Sequence, residues 1–317
     1  MHIHSLIFKE LIKRGYSLDG NTRIWNIADS KLWYITPEQA QAYLDLDSNP
    51  SFKKYSGQKD AQDLIQENID DIVKSIRDNS FNVVDLGCGD GSKTVFLIEE
   101  MRKLNPNFKI RYCPVDISSY MVSRAIDTFK KLKFGQLIRF QYNISDFDNL
   151  ENITPLLREG EFKTNLLLLF GNTLDNFEIH ELLYTIRTSM KKGDFFILDT
   201  AINDHHQKER VESYVSNKNF YNWLIPISLQ LGLSRDDVEL QGRFKNSRIE
   251  MYFVLKNDKT VTFNEKSVRF NKGDQIIVLT AYKYEKDTLK EFLNMHFDNV
   301  TLRTSKNNSK ILAICTR

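Results

Sequence analysis

The chain has 317 residues, 41% of them hydrophobic, which is enough for one large domain or two modest ones. Its 44 basic and 42 acidic residues leave a net charge of only +2, so the excess of Lys and Arg typical of nucleic-acid binding is absent. No apolar stretch approaches the roughly 20 residues of a membrane-spanning helix, and residues 1–16 lack the apolar core of a secretory signal. We expect a cytoplasmic monomer that binds neither nucleic acid nor membrane.

The N-terminal part mixes aromatic and polar side chains up to about residue 55 and predicts an accessory segment. Residues 60–76 then carry apolar side chains at steps of three and four, which predicts one amphipathic helix at the start of the core domain. The three cysteines form no C-x-x-C pair, so we expect them to be reduced packing residues.

A glycine-rich turn then joins a buried strand to a helix. Asp85 stands near the end of the apolar strand. The glycines that follow, Gly87, Gly89 and Gly91, let the backbone turn tightly beneath a ligand. The dinucleotide-binding motif G-x-G-x-x-G, counted from Gly87, requires glycine at position 92, where this chain has Ser92. The spacing therefore argues against a nicotinamide dinucleotide. An acid followed by G-x-G-x-G favours S-adenosylmethionine, whose ammonium the acid can meet; a plain strand-to-helix connection is the alternative for so short a motif.

Further buried strands follow at regular spacing. The strand at 109–115 leads to Asp116, whose carboxylate would meet ribose hydroxyls at the ligand-binding edge of an open α/β sheet. A strand at 137–142 leads to Asp146 and Phe147, an acceptor and an aromatic face suited to adenine. Each acid alone could be a helix cap, but three at consecutive strand ends favour a cofactor site. Two more parallel strands are predicted at 164–170 and 195–199.

The pattern changes after residue 200. We predict a helix at 210–232, strands at 248–256, 260–270 and 275–284, a helix at 285–295, and a closing antiparallel pair at 299–303 and 311–316. His205 and His206 are adjacent, and neighbouring side chains on a helix point apart, so we expect a surface pair and no metal site.

These elements predict an α/β protein with a Rossmann-like sheet of five parallel strands plus a C-terminal antiparallel pair. The core domain would comprise residues 56–200 and 285–317. An accessory α+β domain that binds substrate or acts as a lid would comprise residues 1–55 and 201–284.

Several stretches together are far more specific than the glycine turn alone. They are VVDLGCGDGSKT at 83–94, YCPVDIS at 112–118, SDF at 145–147, LFGNTLDNF at 169–177 and the helix at 210–231. From about residue 82 onward the chain thereby resembles the histidine Nα-methyltransferase family of the ergothioneine pathway, which also includes fungal enzymes that methylate a prenylated tryptophan. The resemblance implies the class I methyltransferase fold.

The resemblance also implies the site residues. Asn176 and Tyr214 would be the catalytic residues that hold the substrate's carboxylate and amine, since a neutral amide and a phenol bring no second cation near the sulfonium. The alternatives are a helix cap for Asn176 and a half-buried aromatic for Tyr214. The predicted cofactor-binding residues are Asp85, Gly87, Cys88, Gly89, Lys93, Asp116, Ile117, Asp146, Phe147, Phe170 and Gly171, and the remaining substrate-binding residues are Tyr55, Asn172, Thr173, Leu279 and Ala281.

The chain departs from the family pattern at two places. In the family, the glutamate and serine of a Glu-x-Ser-x-Lys pattern recognise the imidazole of the substrate. This chain has Leu279 in place of the glutamate and Ala281 in place of the serine, ahead of Lys283. Losing both polar groups disfavours histidine, because a site built on paired polar groups discriminates strongly. An apolar or aromatic amino acid fits better. The family's N-terminal tyrosine pair has only Tyr55 as a counterpart.

We therefore predict an S-adenosylmethionine-dependent N-methyltransferase of the α-amino group of an amino acid or derivative, other than histidine. The alternatives are a methyltransferase of another small metabolite and an inactive cofactor-binding regulator. A base-methylating enzyme is disfavoured, because the chain has no Pro-Pro pair and cannot carry the Asn/Asp-Pro-Pro-aromatic motif.

Overall fold

The computed structural model describes residues 3–34, 36–76, 78–139, 143–171 and 173–317, without the side chains of residues 3–6, 54 and 55. The chain forms two compact units. The core unit comprises Lys53–Asp204 and Tyr284–Arg317, and the accessory unit comprises Met1–Phe52 and His205–Lys283. The core domain expected from the sequence, 56–200 and 285–317, begins and ends a few residues away from these bounds.

Helices and strands are numbered separately along the chain. The helices are α1 (Ile3–Arg14), α2 (Pro37–Ser48), α3 (Pro50–Ser56), α4 (Gln58–Glu67), α5 (Ile69–Ser75), α6 (Ser92–Leu104), α7 (Ser119–Lys130), α8 (Leu150–Leu156), α9 (Ile179–Ser189), α10 (Gln207–Ser216), α11 (Lys218–Gln230) and α12 (Lys286–His296). The strands are β1 (Ser17–Asp19), β2 (Thr22–Asn26), β3 (Ser80–Leu86), β4 (Lys109–Val115), β5 (Gln136–Leu137), β6 (Thr164–Leu169), β7 (Phe195–Ala201), β8 (Val238–Lys245), β9 (Arg248–Leu255), β10 (Lys259–Phe263), β11 (Lys266–Phe270), β12 (Gln275–Tyr282), β13 (Asn299–Thr304) and β14 (Lys310–Thr316).

The core unit is built on one sheet with the strand order β13-β14-β7-β6-β3-β4-β5. Strands β3 to β7 pair in parallel, whereas β14 pairs antiparallel with β7 and β13 with β14. The predicted sheet of five parallel strands and an antiparallel pair is therefore confirmed. The chain moves outward from β3 in both directions, so the topological switch lies between β3 and β6, where open α/β sheets bind ligands beyond the strands' carboxyl ends.

Both faces of this sheet are covered by apolar side chains. Alternate residues of β3 enter different clusters: Val84 and Leu86 pack on the side of α8, α9 and α12, while Phe81 and Val83 pack on the side of α4 to α7. Parallel strands buried on both faces read as continuous apolar runs, which explains why the sequence revealed them so clearly.

The strand predicted at 137–142 is present beside β4, but among the described residues it is much shorter than predicted. Only Gln136 and Leu137 pair with β4, and residues 140–142 lie outside the described residues. Pro114 supplies the reason, because it has no N–H to continue the ladder on that side. Its carbonyl instead accepts a hydrogen bond from Asn143 Nδ2 at 2.6 Å.

The helix predicted at 60–76 is two helices, α4 and α5, separated at Asn68. The Asn68 side-chain amide donates to the Leu64 carbonyl at 2.8 Å. Asparagine side chains compete in this way with the helical backbone, and such competition favours a helix end.

The accessory unit contains a five-stranded sheet of order β1-β2-β12-β9-β8 and the separate hairpin β10-β11. The single strand predicted at 260–270 is wrong, because Asn264 and Glu265 adopt positive φ angles of 45° and 65° and turn the chain into the hairpin. The helix predicted at 210–232 divides into α10 and α11 at Asn217, whose side chain caps α11. Strand β8 was not predicted.

Several smaller expectations concern single residue types. Cys88, Cys113 and Cys315 are buried and form no disulfide. Within the described residues, no group of three or more His, Cys, Asp or Glu could hold a metal ion, and no helix has the length and apolarity needed to cross a membrane. The exposed His206 contacts Glu209 through Nδ1 at 3.0 Å.

Candidate functional site

The three glycines of the turn after β3 have distinct tasks. Gly87, Gly89 and Gly91 all adopt positive φ angles, which favour glycine. A Cβ at Gly91 would lie 2.9 Å from the Ala125 backbone, so glycine there lets α6 and α7 approach. A Cβ at Gly89 would meet no atom within 4 Å, so this part of the turn faces open space. The turn is thus packed on one side and accessible on the other.

Asp116 follows β4 and is fastened to the same turn. Its Oδ2 accepts a hydrogen bond from the Gly89 N–H at 3.3 Å, and its Oδ1 accepts one from the Ser118 N–H at 2.9 Å. Burial raises the pKa of Asp116 to about 6, although these two N–H groups oppose the shift. Each carboxylate oxygen can accept a second hydrogen bond. The structure therefore positions an acceptor beside the accessible part of the turn.

Asp85 lies deeper, with 2% of its surface exposed. Its Oδ2 accepts a hydrogen bond from the Tyr112 hydroxyl at 2.7 Å. Burial raises the pKa of Asp85 to about 6, while hydrogen bonds from Tyr112 and Thr94 act to lower it. The carboxylate braces the base of the turn against β4, and its contact with a ligand ammonium stays a prediction. Sequence reasoning missed Tyr112 in this role, although a polar residue within a buried strand is a usable signal.

The segment between β5 and α8 brings the predicted adenine-binding residues to the turn. Asn143 and Ser145 flank Asp116 through backbone hydrogen bonds of 3.0 Å each. Asp146 is half-buried and precedes a short 3-10 helix that begins at Phe147. The Phe147 ring is 8% exposed, and its Cζ lies 3.7 Å from the point where a Cβ on Gly87 would stand. The Phe147 ring therefore lies beside the glycine turn, and the contact of Asp146 and Phe147 with adenine stays a prediction.

The loop after β6 reaches the glycine turn from the other side. Thr173 packs its Cγ2 3.0 Å from the Cβ position of Gly87, and its hydroxyl donates to the Phe170 carbonyl at 2.7 Å. Phe170 is buried, and Gly171 adopts a positive φ of 83°. Asn172 lies outside the described residues. This loop thus contacts the turn directly.

Asn176 ends the short 3-10 helix Thr173–Asn176 of the same loop. The N-cap of α9 is Glu178, whose side chain accepts from the Glu181 N–H, so the helix-cap alternative for Asn176 is wrong. The Asn176 side chain is half-buried and makes no hydrogen bond with the described residues. Its amide is available to a ligand.

The other predicted cofactor residues line the same edge. Lys93, in the first turn of α6, places Nζ 2.6 Å from the point where a Cβ on Gly171 would stand. Ile117 is half-buried beside Asp116. Burial raises the pKa of the Cys88 thiol well above its ordinary value, so it serves as an apolar wall and not as a thiolate.

The remaining predicted residues belong to the accessory unit and to α3. Tyr214 on α10 is half-buried and stacks on Phe220 with ring centroids 4.7 Å apart, so the alternative of a half-buried aromatic describes its surroundings. Leu279 is buried and Ala281 half-buried on β12, and both pack on the apolar cluster that Tyr214 also contacts. The side chain of Tyr55 lies outside the described part of the chain.

Comparison with known proteins decides the family. Residues 51–316 match the family of histidine-specific, S-adenosylmethionine-dependent methyltransferases. The chain belongs to this family. It is a methyltransferase whose cofactor is S-adenosylmethionine, as the glycine turn predicted, and the expected class I methyltransferase fold is confirmed.

Solved structures resemble the methyltransferase only distantly. An S-adenosylmethionine-dependent methyltransferase from Clostridium acetobutylicum is 20% identical, with 81% of this chain and 91% of that chain covered and a TM-score of 0.42. DesVI from Streptomyces venezuelae is 11% identical, with 86% of this chain and 98% of that chain covered and a TM-score of 0.39. No curated protein matches the sequence.

The residues of the methyltransferase fit its cofactor. The open side of Gly89 leaves room for the ligand, and Asp116 retains lone pairs for two ribose hydroxyls. Phe147 would supply an aromatic ring for adenine, and the ammonium of Lys93 would pair with the methionine carboxylate. All four residues belong to the core unit, so it would bind the cofactor through its own side chains.

The raised pKa of Asp116 predicts a pH dependence of cofactor binding. Its pKa of about 6 means that the ionised acceptor is present at pH 7.5 and is lost as the pH falls through 6. Affinity for S-adenosylhomocysteine should therefore fall about tenfold between pH 7.5 and pH 5. Calorimetry at both pH values checks this result. Asp116→Asn should bind weakly, and its affinity should depend less on pH than that of the wild type, although Asp85 still titrates with a pKa of about 6. Equal wild-type affinities at the two pH values would contradict the assignment.

Proposed function

We propose that this methyltransferase transfers its methyl group to the α-amino nitrogen of an amino acid or close derivative. One observation carries the proposal: the loop that packs on the glycine turn ends at Asn176, whose side-chain amide has no hydrogen-bond partner among the described residues. An amide both donates and accepts, so it can bind the amine and carboxylate of a zwitterion. It does so without placing another cation beside the sulfonium.

The chemistry requires alignment more than activation. S-adenosylmethionine, when bound, supplies a methyl group already activated by its positive sulfur. The protein has to hold the acceptor nitrogen in line with that methyl group, and such positioning can supply most of the acceleration. A free α-amine has a pKa near ~8, so a useful fraction is neutral at pH 7 to 8 without a strong base.

We further propose that the amino acid has an apolar or aromatic side chain. Leu279 and Ala281 offer no hydrogen bond from their side chains, and they share an apolar cluster with Tyr214. Phe52 and Phe220 contact Tyr214 within that cluster. A wall of this kind favours an apolar substrate side chain and leaves the nitrogens of an imidazole without hydrogen-bond partners, which costs binding free energy.

The buried, unpaired cysteines are in keeping with a cytoplasmic enzyme.

Mass spectrometry with a methyl-labelled cofactor and a panel of the standard amino acids tests this function. We expect label on the α-nitrogen of an apolar or aromatic amino acid, with histidine converted at least about tenfold more slowly. Preferred methylation of histidine would contradict the proposed selectivity. Methylation of a different metabolite class, or cofactor binding without any turnover, would contradict the proposed function itself.

Tyr214→Phe provides a matched variant for the substrate contact. Loss of one hydroxyl hydrogen bond, about 1.4 kcal/mol, should raise the KM for the amino acid about tenfold. The affinity for S-adenosylhomocysteine should stay unchanged. Tyr221→Phe is the control, since Tyr221 is also half-buried against the same cluster and is assigned no contact with substrate. Equal KM values for the two variants would remove Tyr214 from the site.

A further inference from the structure

A buried ion pair lies beneath the loop that carries Asn176. Lys310 on β14 donates from Nζ to Asp199 Oδ2 on β7 at 3.1 Å, and each side chain is 1% exposed. Gly57 leaves the space that the Lys310 side chain occupies, because a Cβ there would stand 2.8 Å from Lys310 Cε. Moving two charges from water into the protein interior costs free energy, so a buried ion pair need not stabilise the fold. Its other contacts can show what it does.

Those contacts lead to both ends of the loop. The second carboxylate oxygen of Asp199, Oδ1, accepts a hydrogen bond from the Gly171 N–H at 2.8 Å, where the loop begins. The next residue on β7, Thr200, donates from its hydroxyl to Asp175 Oδ1 at 2.8 Å, one residue before Asn176. Two adjacent residues of one strand therefore hold Gly171 at the start of the loop and Asp175 near its end.

Charge keeps this attachment in place. Burial acts to raise the pKa of Asp199, but Lys310 and Lys93 outweigh it and hold that pKa below its ordinary value. Asp199 therefore stays ionised and remains a strong acceptor for the Gly171 N–H.

We propose that Asp199 and Lys310 are positioning residues that fix the loop at 171–176, so that Asn176 presents its amide to the substrate. The role rests on the proposed function of Asn176, but the position of the loop can be measured without any substrate. Neither residue is placed in contact with the reacting atoms.

Two double variants separate the hydrogen bond to Gly171 from the ion pair. Asp199→Leu with Lys310→Met removes both charges and the acceptor, whereas Asp199→Asn with Lys310→Met removes both charges and keeps an acceptor oxygen. Hydrogen exchange of residues 170–177 should rise at least about tenfold in the Leu variant and by a clearly smaller factor in the Asn variant, because a neutral amide oxygen is a weaker acceptor than the ionised carboxylate. In the Leu variant, the factor by which kcat falls should be at least about ten times the factor by which the affinity for S-adenosylhomocysteine falls.

Arg158→Met with Asp194→Leu is the matched control. This pair is also buried, with side chains 7% and 2% exposed, and Asp194 also accepts a backbone hydrogen bond, from the Asn165 N–H at 2.8 Å, at the opposite edge of the sheet. The control should lower the melting temperature and leave exchange of the loop unchanged. Wild-type exchange at 170–177 in the Leu variant would overturn the proposal.

Thr200→Val keeps the proposal testable should the Leu variant not fold, because it removes the second attachment, from Thr200 to Asp175, and changes no formal charge. In Thr200→Val, amide hydrogen exchange should rise at residues 174–177. Unchanged hydrogen exchange there would count against the positioning role. Should no amino acid prove to be a substrate, the exchange and cofactor-binding results still decide the proposal, while the function of Asn176 fails separately.

Discussion

Asn176→Ala should abolish methyl transfer, with kcat/KM reduced at least about 100-fold, because misplacing the acceptor amine by about 1 Å is enough for such a loss. The affinity for S-adenosylhomocysteine should stay within about twofold of wild type, because the assigned cofactor contacts belong to other residues. The Asn176 side chain makes no hydrogen bond with the described residues, so its truncation should not unfold the loop. Steady-state kinetics and calorimetry on the same preparation check both halves of this result.

Asn152→Ala is the control for Asn176→Ala, since Asn152 is an exposed asparagine of α8 in the same unit. It should retain wild-type kinetics. A fully active Asn176→Ala variant would refute the role of Asn176 and with it the main support for an α-amine substrate. Loss of cofactor affinity in parallel with activity would instead assign Asn176 to the cofactor.

Asp116→Ala should weaken binding of S-adenosylmethionine at least tenfold by calorimetry. The substitution removes a carboxylate that would accept hydrogen bonds from the ribose, and bonds to a charged acceptor contribute about 1.5–3 kcal/mol each. It also removes the acceptor that fastens the Gly89 N–H, at 3.3 Å, so the turn itself would lose a contact. Both effects act in the same direction.

Asp90→Ala is the matched control for Asp116→Ala, because Asp90 carries the same charge within the same turn and is not assigned to the ribose. Its affinity should stay within about threefold of wild type, as expected for a partly exposed charge. Unchanged affinity in Asp116→Ala would show that the ribose contact is misplaced. Thermal unfolding of both variants separates lost binding from lost folding.

Local features of the chain predicted the sheet and its ligand-binding edge well. The parallel strands read as apolar runs because both faces are buried, and the turn read clearly because positive φ angles at Gly87, Gly89 and Gly91 require glycine. Where prediction failed, a single residue had changed the local outcome. Pro114 ended the pairing of β5, and Asn217 divided a helix whose apolar pattern continues on both sides.

The amino-acid sequence by itself determined the glycine turn, the order of buried strands and the acid that follows β4, because each depends on backbone geometry or periodicity within a few residues. Only the tertiary structure decided what supports the site. Lys310 meets Asp199 across 111 residues of chain, and Tyr112 meets Asp85 across 27. Such partners are set by which strands become neighbours in the sheet, and a charge or hydroxyl in a strand does not reveal beforehand which neighbour it will face.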